Sequence, residues 1–527
     1  MPNVRQADVI LVGGGHNGLV AAIVLAQRGL HVRVLEARDA VGGAVRTEYP
    51  YPAAPNLPAS TGAYLLGLMP PKLMRQFDLR LPLIRRDPHY FLPTTQLGKY
   101  LLLGGDDAAN RASFLSFGTE RDWIANQALQ AELTDLRDDI TPTWLLPPCS
   151  IEETAERFVR EELREIFVNL CRRPVGEYLE RFGFVTDHIK AMYAVTDGFS
   201  GLDGGWDTPG TGMNFLVHNM CSLPGSGGTW MCVAGGMGTV TKALVEIARE
   251  HGVEIDVASP VAEVQVEEGV VRGVLLRDGR QLRASTVVVN ADPFAMRDLV
   301  GRERLPEDYN ARVDGYRRDG TTLKVNLALR DLPKFSCLPE PRGQHGTTIH
   351  LLPWPSSGGP GVIDAIRCAY DEAKRGELPE FPLIEWYLQS PLDDSMRDEA
   401  GRHSAALFVQ WVPYQPKGST WDQELPRYVQ HLLSICDRFA PGTTALVDDV
   451  LALPPPAIEE RFGMTRGHIH HVDNGFGFAD RLPYATPIGG LYSASAGCHP
   501  AGSVIGAAGH NAAQQVLRDL GHTPEND

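Results

Sequence analysis

The stretch Asp8-Val9-Ile10-Leu11-Val12-Gly13-Gly14-Gly15-His16-Asn17-Gly18, answered by Glu36 just after His31–Leu35, decides how this chain is read. An apolar run, a glycine turn and a small-residue periodic run predict a strand, a tight turn and a helix start. Each glycine has a reason. Gly13 makes the turn, Gly15 lets a pyrophosphate approach the backbone, and Gly18 lets the helix lie close to the strand. The first helical turn offers free N–H groups and a partial positive charge, which suit phosphate. A carboxylate at Glu36 stands where ribose hydroxyls need an acceptor. His16 and Asn17 either touch the ligand or cap the helix, asparagine being a good capping residue. The reading is a dinucleotide site on a β-α-β unit.

The chain has 527 residues, enough for two or three domains. Its net charge of −16 argues against a nucleic-acid binder, which should carry a basic face. Eight cysteines are scattered with no C-x-x-C pair, so neither zinc nor a redox disulfide is expected. Met1–Arg5 has no apolar signal core, and Leu19–Ala26 is too short to cross a bilayer. The expected location is the cytoplasm, with peripheral membrane contact left open.

The chain then changes pattern several times. Residues 79–222 have mostly helical periods, as in Ile151–Leu170 and Val175–Phe182. Gly235-Gly236-Met237-Gly238 and a helix to His251 return to the nucleotide-type pattern. A meander follows, with hairpin signals at Glu267-Glu268-Gly269 and Asp278-Gly279. Thr286–Asn290 reads as a buried parallel strand. Thr322–Leu329 alternates like a half-buried strand, Ala405–Val412 is another strand, and Gln423–Phe439 is a helix. Pro353-Trp354-Pro355 and Pro454-Pro455-Pro456 punctuate the block. Near the end, Gly497-Cys498-His499-Pro500-Ala501-Gly502-Ser503 leads into a helix expected from Val504 to Leu520 with Ser503 as its cap. The nucleotide unit is therefore split over residues 1–78, 223–300 and 475–527. Residues 79–222 and 301–474 form an inserted substrate unit.

These motifs together resemble the phytoene desaturase-like flavoproteins, a superfamily that also holds carotenoid isomerases and retinol saturases. Gly13–Gly18 followed by Leu19-Val20-Ala21-Ala22 resembles the N-terminal fingerprint of its A-G-H-N-G-L branch. Gly235–Gly238, Val287–Pro293, Ile458–His471 and Thr486–Ala513 resemble its later motifs in the right order. Ala44 stands where arginine often follows the glycine pair, although Thr47 keeps its place. The resemblance implies an α/β fold, a discontinuous Rossmann-type FAD domain with an inserted α+β substrate domain, and non-covalent FAD. It implies that Gly13, Gly15 and Gly18 hold the pyrophosphate and that Glu36, with Ala37 beside it, holds the ribose. Val261 would meet adenine, Gly43 and Ala44 would lie along the ribityl and pyrophosphate, and Gly497 and Val504 would flank the flavin. A helix opening at Ser503-Val504 would aim its positive end at the flavin's carbonyl edge.

Other residues carry a sharp reading beside a plain one. His499 is either a proton carrier or a histidine bonded within its turn. His468 and His470 would share a face on a strand, but nothing completes a metal shell. Cys498 is a covalent anchor or a packed thiol. Tyr64, Tyr90, Phe91, Trp206, Phe215, Trp230, Trp354, Trp386 and Trp411 line an apolar cavity or fill cores.

The expected activity is hydride transfer between an apolar small molecule and flavin, in desaturation, saturation or isomerisation of C–C bonds. Oxygen or a quinone would turn the flavin over, since no second complete G-x-G-x-x-G is present for a nicotinamide. The alternatives are an amine oxidase-type oxidation of a C–N bond and a non-catalytic prenyl or lipid carrier.

Overall fold

The computed structural model describes residues 7–354 and 359–522. The readings of Met1–Arg5 and of Pro355 fall outside them. Five short strands form an all-parallel sheet, in the spatial order Leu491–Ser493, Thr286–Val289, Val9–Val12, Val32–Leu35, Glu254–Asp256. The two central strands, Val9–Val12 and Thr286–Val289, are buried at every position, as strands covered on both faces must be. Strands from the start, middle and end of the chain thus lie side by side, which is the discontinuous Rossmann-type arrangement. Helix His16–Gln27 packs against Gly238–Glu250 and Ala507–Asp519. It is buried from Asn17 to Leu25, which its small residues permit. The meander is present too: Val261–Glu267 and Val270–Leu276 join through Glu268-Gly269, at φ 51° and 75°, a turn whose hand matches strand twist.

A second sheet has seven strands, in the order Val447–Leu453, Thr322–Leu329, His403–Gln410, Leu383–Leu388, Thr348–Leu351, Tyr90–Pro93, Tyr100–Leu103. Its pairs are antiparallel except Thr348–Leu351 beside Tyr90–Pro93. The last two strands belong to the stretch read as mostly helical. The helices that follow there include Asp107–Phe117 and Glu120–Ile140. The helix expected over Ile151–Leu170 breaks into Ile151–Phe158 and Arg164–Arg172. At the break the Arg160 N–H donates to Asp139 Oδ2 at 3.0 Å instead of continuing the helix.

Thr322–Leu329 differs from its expected half-burial: all eight positions are buried. The alternation is real, but both faces are covered. Leu323, Val325, Leu327 and Leu329 share a core with helix Trp421–Phe439. The opposite face carries Thr322, Lys324 and Asn326 and turns away from that core. Facing residues on its neighbours follow from register: Lys324 lies opposite Phe408, Phe408 opposite Glu385, and Glu385 opposite His350. No described helix is long and apolar enough to cross a membrane.

Candidate active site

A cavity of about 680 Å³ runs from the first glycine turn to the polar face of the seven-stranded sheet. At its first end the backbone itself forms the wall. Gly13 has φ +98°, and a Cβ there would meet the Asn290 carbonyl oxygen at 2.8 Å. Only glycine fits such a position. At Gly18 a Cβ would lie 2.3 Å from the Gly13 carbonyl oxygen, so this glycine seats the helix on the strand. It does not line the cavity, whereas Gly13, Gly15, His16 and Asn17 do.

Helix His16–Gln27 begins one residue before Asn17, with Gly15 as the cap residue. Asn17 is therefore inside the first turn and caps nothing. Its Oδ1 and the His16 Nε2 are buried without partners, and both residues face the cavity. Leaving such groups unpaired costs about 1–3 kcal/mol each, which a bound polar ligand relieves. Burial, with His471 beside it, pushes the His16 imidazole down to about 4, so it is neutral.

Glu36 is fixed by two backbone donors. Gly14 N–H donates to its Oε2 and Arg38 N–H to its Oε1, each at 2.9 Å. Each carboxylate oxygen keeps a further acceptor site. Ala37 and Val261 line the same end, and Gly43 and Ala44 continue the wall. Gly42 N–H donates to the Gly14 carbonyl at 2.9 Å, which joins the two glycine loops. Thr47 clasps the central motif: its hydroxyl donates to Gly235 O at 2.9 Å and accepts from Gly238 N–H at 3.0 Å.

The C-terminal segment departs from expectation. Its helix opens at Ala507 after Gly506, not at Val504, and Ser503 makes no cap. Asn474 explains the delay by holding Gly502 at both its N–H (2.8 Å) and its carbonyl (3.1 Å). Ser503 and Val504 still line the cavity, as part of the turn before the helix. Ala496 lines it in place of Gly497, which packs against Val472 and His471. His499 is not among the lining residues either. Its ring meets Phe478 edge-on at 5.2 Å, and burial drives it to about 3. Cys498 lies against Ser493, with burial raising its thiol to about 11, a packed thiol.

His468–His471 do not form a strand. His468 faces Asp473 (3.4 Å), His470 bonds the Ser200 carbonyl (2.9 Å), and His471 bonds Ser495 Oγ (2.9 Å). Among the described residues no group of three or more His, Cys, Asp or Glu is placed to hold a metal. Of the aromatic residues weighed above, Tyr64 and Trp230 line the cavity, while Phe91, Phe215, Trp386 and Trp411 fill cores.

The far end of the cavity was not anticipated from sequence. Lys324, Phe408 and Glu385 form a row across three adjacent strands and all line it, with Tyr387 one step along the same face. Lys324 Nζ donates to the Ser60 carbonyl at 3.0 Å and to the Gly62 carbonyl, and lies 4.1 Å from the Tyr64 ring centre. Burial holds this amine well below the usual lysine range. Tyr64 and Tyr387 rings are 4.3 Å apart. The Tyr387 hydroxyl donates to Glu385 Oε2, and Glu385 Oε1 has no partner. Burial raises the Glu385 carboxyl to about 8, only partly offset by Tyr387. One signal could have found this end: alternation that puts lysine and glutamate on strands whose other face is wholly apolar.

The cavity thus joins a glycine-walled end beside Glu36 to a buried end walled by aromatic rings with Lys324 and Glu385 among them, the layout of a cofactor oxidoreductase. Residues 18–355, more than half of the chain, match the model of the flavin containing amine oxidoreductases. The chain belongs to that family. Its cofactor is FAD. The chain is 32% identical to mouse (Mus musculus) pyridine nucleotide-disulfide oxidoreductase domain-containing protein 2, over 98% of this chain and 94% of that one. It is 26% identical to a hydroxyneurosporene desaturase of Cereibacter sphaeroides, covering 97% of this chain and 98% of the relative. A solved putrescine oxidase redesigned in its cofactor binding has the same fold, with TM-score 0.59 and 18% identity, covering 98% of both chains. The expected α/β class and flavoprotein resemblance therefore hold.

Proposed function

We propose that this FAD-dependent oxidoreductase acts on C–C bonds of a neutral, apolar small molecule, by desaturation, saturation or isomerisation. The observation that carries the reading is the far end of the cavity. Its walls are Tyr64, Tyr387, Phe408 and Trp230, and its carboxyl, Glu385, is held protonated at neutral pH. A cationic amine would find no ionised carboxylate there to pair with. The desaturase relative supports the same substrate class. The Tyr64–Tyr387 pair is what favours the alternative, because two closely apposed aromatic rings also attract an ammonium group.

The residues fit the cofactor: the glycine wall excludes side chains, and His16 and Asn17 hold unpaired polar atoms beside it. Gly13, Gly15, His16 and Asn17 would hold the pyrophosphate, and Glu36 the ribose, with Ala37 and Val261 on the adenine side. Gly43 and Ala44 would follow the ribityl chain, and Val504 would lie near the ring. Gly18 contributes by packing. FAD supplies a two-electron, hydride-accepting ring when bound. The protein's share is to position the substrate, exclude water with its aromatic wall and hold a proton at Glu385. Segments 1–78, 223–300 and 475–527 serve the cofactor, and 79–222 and 301–474 the substrate. Oxygen or a quinone accepts the electrons, in the cytoplasm, with the protein touching a membrane surface to collect its substrate.

The test is anaerobic titration of the purified flavoprotein with hydroxyneurosporene, putrescine and benzyl alcohol while the flavin band is followed. Bleaching by the polyene, or its conversion to an isomer without bleaching, is the expected outcome. Bleaching by putrescine alone overturns the reading in favour of C–N oxidation.

A further inference from the structure

We propose that the carboxyl of Glu385, backed by the Tyr387 hydroxyl, is the group that exchanges a proton with the bound substrate. The proposal rests on the C–C reading above. Glu385 sits on a central strand, Leu383–Leu388, between Phe408 and His350 of its two neighbours. Strand spacing puts roughly 4.8 Å between successive members of such a row, so the Phe408 ring separates Glu385 from Lys324. The carboxyl therefore forms no ion pair with that amine. One oxygen, Oε2, accepts from Tyr387, while Oε1 is buried without a hydrogen-bond partner. The residue is 2% exposed yet lines the cavity. A buried carboxyl left half-satisfied at a cavity wall costs stability unless a ligand uses it.

The groups around it set its protonation. Tyr387 lies on its own strand, and the Tyr64 ring packs against that of Tyr387, tilted by 43°. Thr196, whose hydroxyl bonds His350 Nε2, and Asp197 come from the π-helical turn Ala194–Gly198. Arg86 approaches from beside Thr348, to whose hydroxyl its Nη1 donates at 2.9 Å. Burial outweighs the pull of Tyr387, Thr196 and Arg86, and Asp197 adds to it, which leaves the carboxyl near 8. When an H–C–C–H unit becomes C=C, one hydrogen leaves with two electrons as hydride, which FAD would accept when bound. The other leaves as a proton, which ionised Glu385 Oε1 takes to become the acid. In isomerisation the acid form gives a proton to one carbon of the polyene and the resulting carboxylate takes one back from another, with no net change of oxidation state. Oxidation therefore gains as pH rises through about 8, and protonation of a polyene gains below it.

Infrared difference spectra of the FAD-loaded enzyme test the proton directly, with Glu385→Gln and Tyr387→Phe beside wild type. A protonated-carboxyl carbonyl band is expected at neutral pH, moving in D₂O, vanishing as pH rises through about 8, and absent in E385Q. In Y387F the band should persist at a shifted position, which covers the case where E385Q folds poorly. With hydroxyneurosporene as probe, E385Q should lose at least about 100-fold in rate together with the pH step. Absence of the band, or an unchanged rate and pH profile in E385Q, overturns the proposal. The infrared arm needs no substrate. A titrating band in an enzyme that only putrescine reduces supports the proton-holding group and refutes the C–C reading alone.

Discussion

The five-stranded and seven-stranded sheets meet one cavity by different means. The parallel sheet offers backbone: glycines at the end of Val9–Val12, a helix start, and one carboxylate held by two N–H groups. The seven-stranded sheet offers side chains standing on a face, Lys324, Phe408, Glu385 and Tyr387, all buried. A backbone site tolerates almost no added atoms, and its N–H and C=O groups do not titrate. A side-chain site tolerates isosteric exchange but depends on protonation. The two halves should therefore fail differently when altered.

The largest effect is expected at Gly18→Ala. The new Cβ would fall 2.3 Å from a backbone carbonyl, so helix and strand must separate. A loss of about 3 kcal/mol and a colourless purified protein are expected, read from thermal midpoint and flavin absorbance. A yellow protein of unchanged midpoint would mean that the helix does not depend on this close approach.

Lys324→Met should break the site without breaking the fold. The amine has two carbonyl acceptors, Ser60 and Gly62, and among the described residues no carboxylate is close enough to pair with it. Methionine of similar volume removes a buried amine but leaves the Ser60 and Gly62 carbonyls without this donor, two effects of about 1–3 kcal/mol each that oppose one another. Flavin reduction by substrate should fall while the urea midpoint holds. If both collapse together, the polar face is structural.

Glu385 sharpens the contrast through pH. Its carboxyl is raised from 4.5 to about 8 in the folded chain. Between those values the native state keeps a proton that the unfolded chain has lost. Stability from this group is thus full below about 4.5 and drains by up to about 1.4 kcal/mol per pH unit until about 8. E385Q lacks this slope. Subtracting its urea stability curve from that of wild type cancels the buried histidines and isolates the group. A flat difference curve would place the native carboxyl in the ordinary range.

Legibility in sequence follows the same division. Gly13–Gly18 and Glu36 announce themselves because close backbone approach demands glycine whatever surrounds it. Strand Thr286–Val289 is equally plain, since burial on both faces leaves only apolar residues. The turn at 502–506 was misjudged by three residues because Asn474, distant in sequence, holds Gly502. At the neighbouring turn Ala496 lines the cavity, while Gly497 packs against Val472 and His471. The chamber stayed hidden because polar residues alternating with apolar ones along Thr322–Leu329 look the same whether they face water or an internal cavity. Only pairing four strands sets Lys324, Phe408, Glu385 and His350 in a row.

Thr47→Val tests the seam within the cofactor half at smaller scale. It removes one donated and one accepted hydrogen bond, to Gly235 and from Gly238. The two lost bonds should cost about 1–2 kcal/mol, seen as a lower thermal midpoint with flavin retained. Loss of flavin at full stability would give the clasp a direct part in binding.

The smallest effect is expected at His499, where placement in sequence and placement in space disagree most. Its turn precedes the C-terminal helix, and histidine is the commonest general base, so sequence makes it a natural proton carrier. In the fold its ring turns to Phe478 and stays neutral, with burial pushing it to about 3. A proton carrier must reach the reacting atoms and change charge near the working pH, whereas this ring stands outside the cavity lining and is held well below neutral pH by burial. His499→Leu keeps the volume roughly constant and removes both nitrogens. Turnover with whichever probe reduces the flavin should stay within about twofold, and its pH profile should not move. A hundredfold loss with the flavin spectrum intact would return the proton to His499 and demote Glu385 to a packing role.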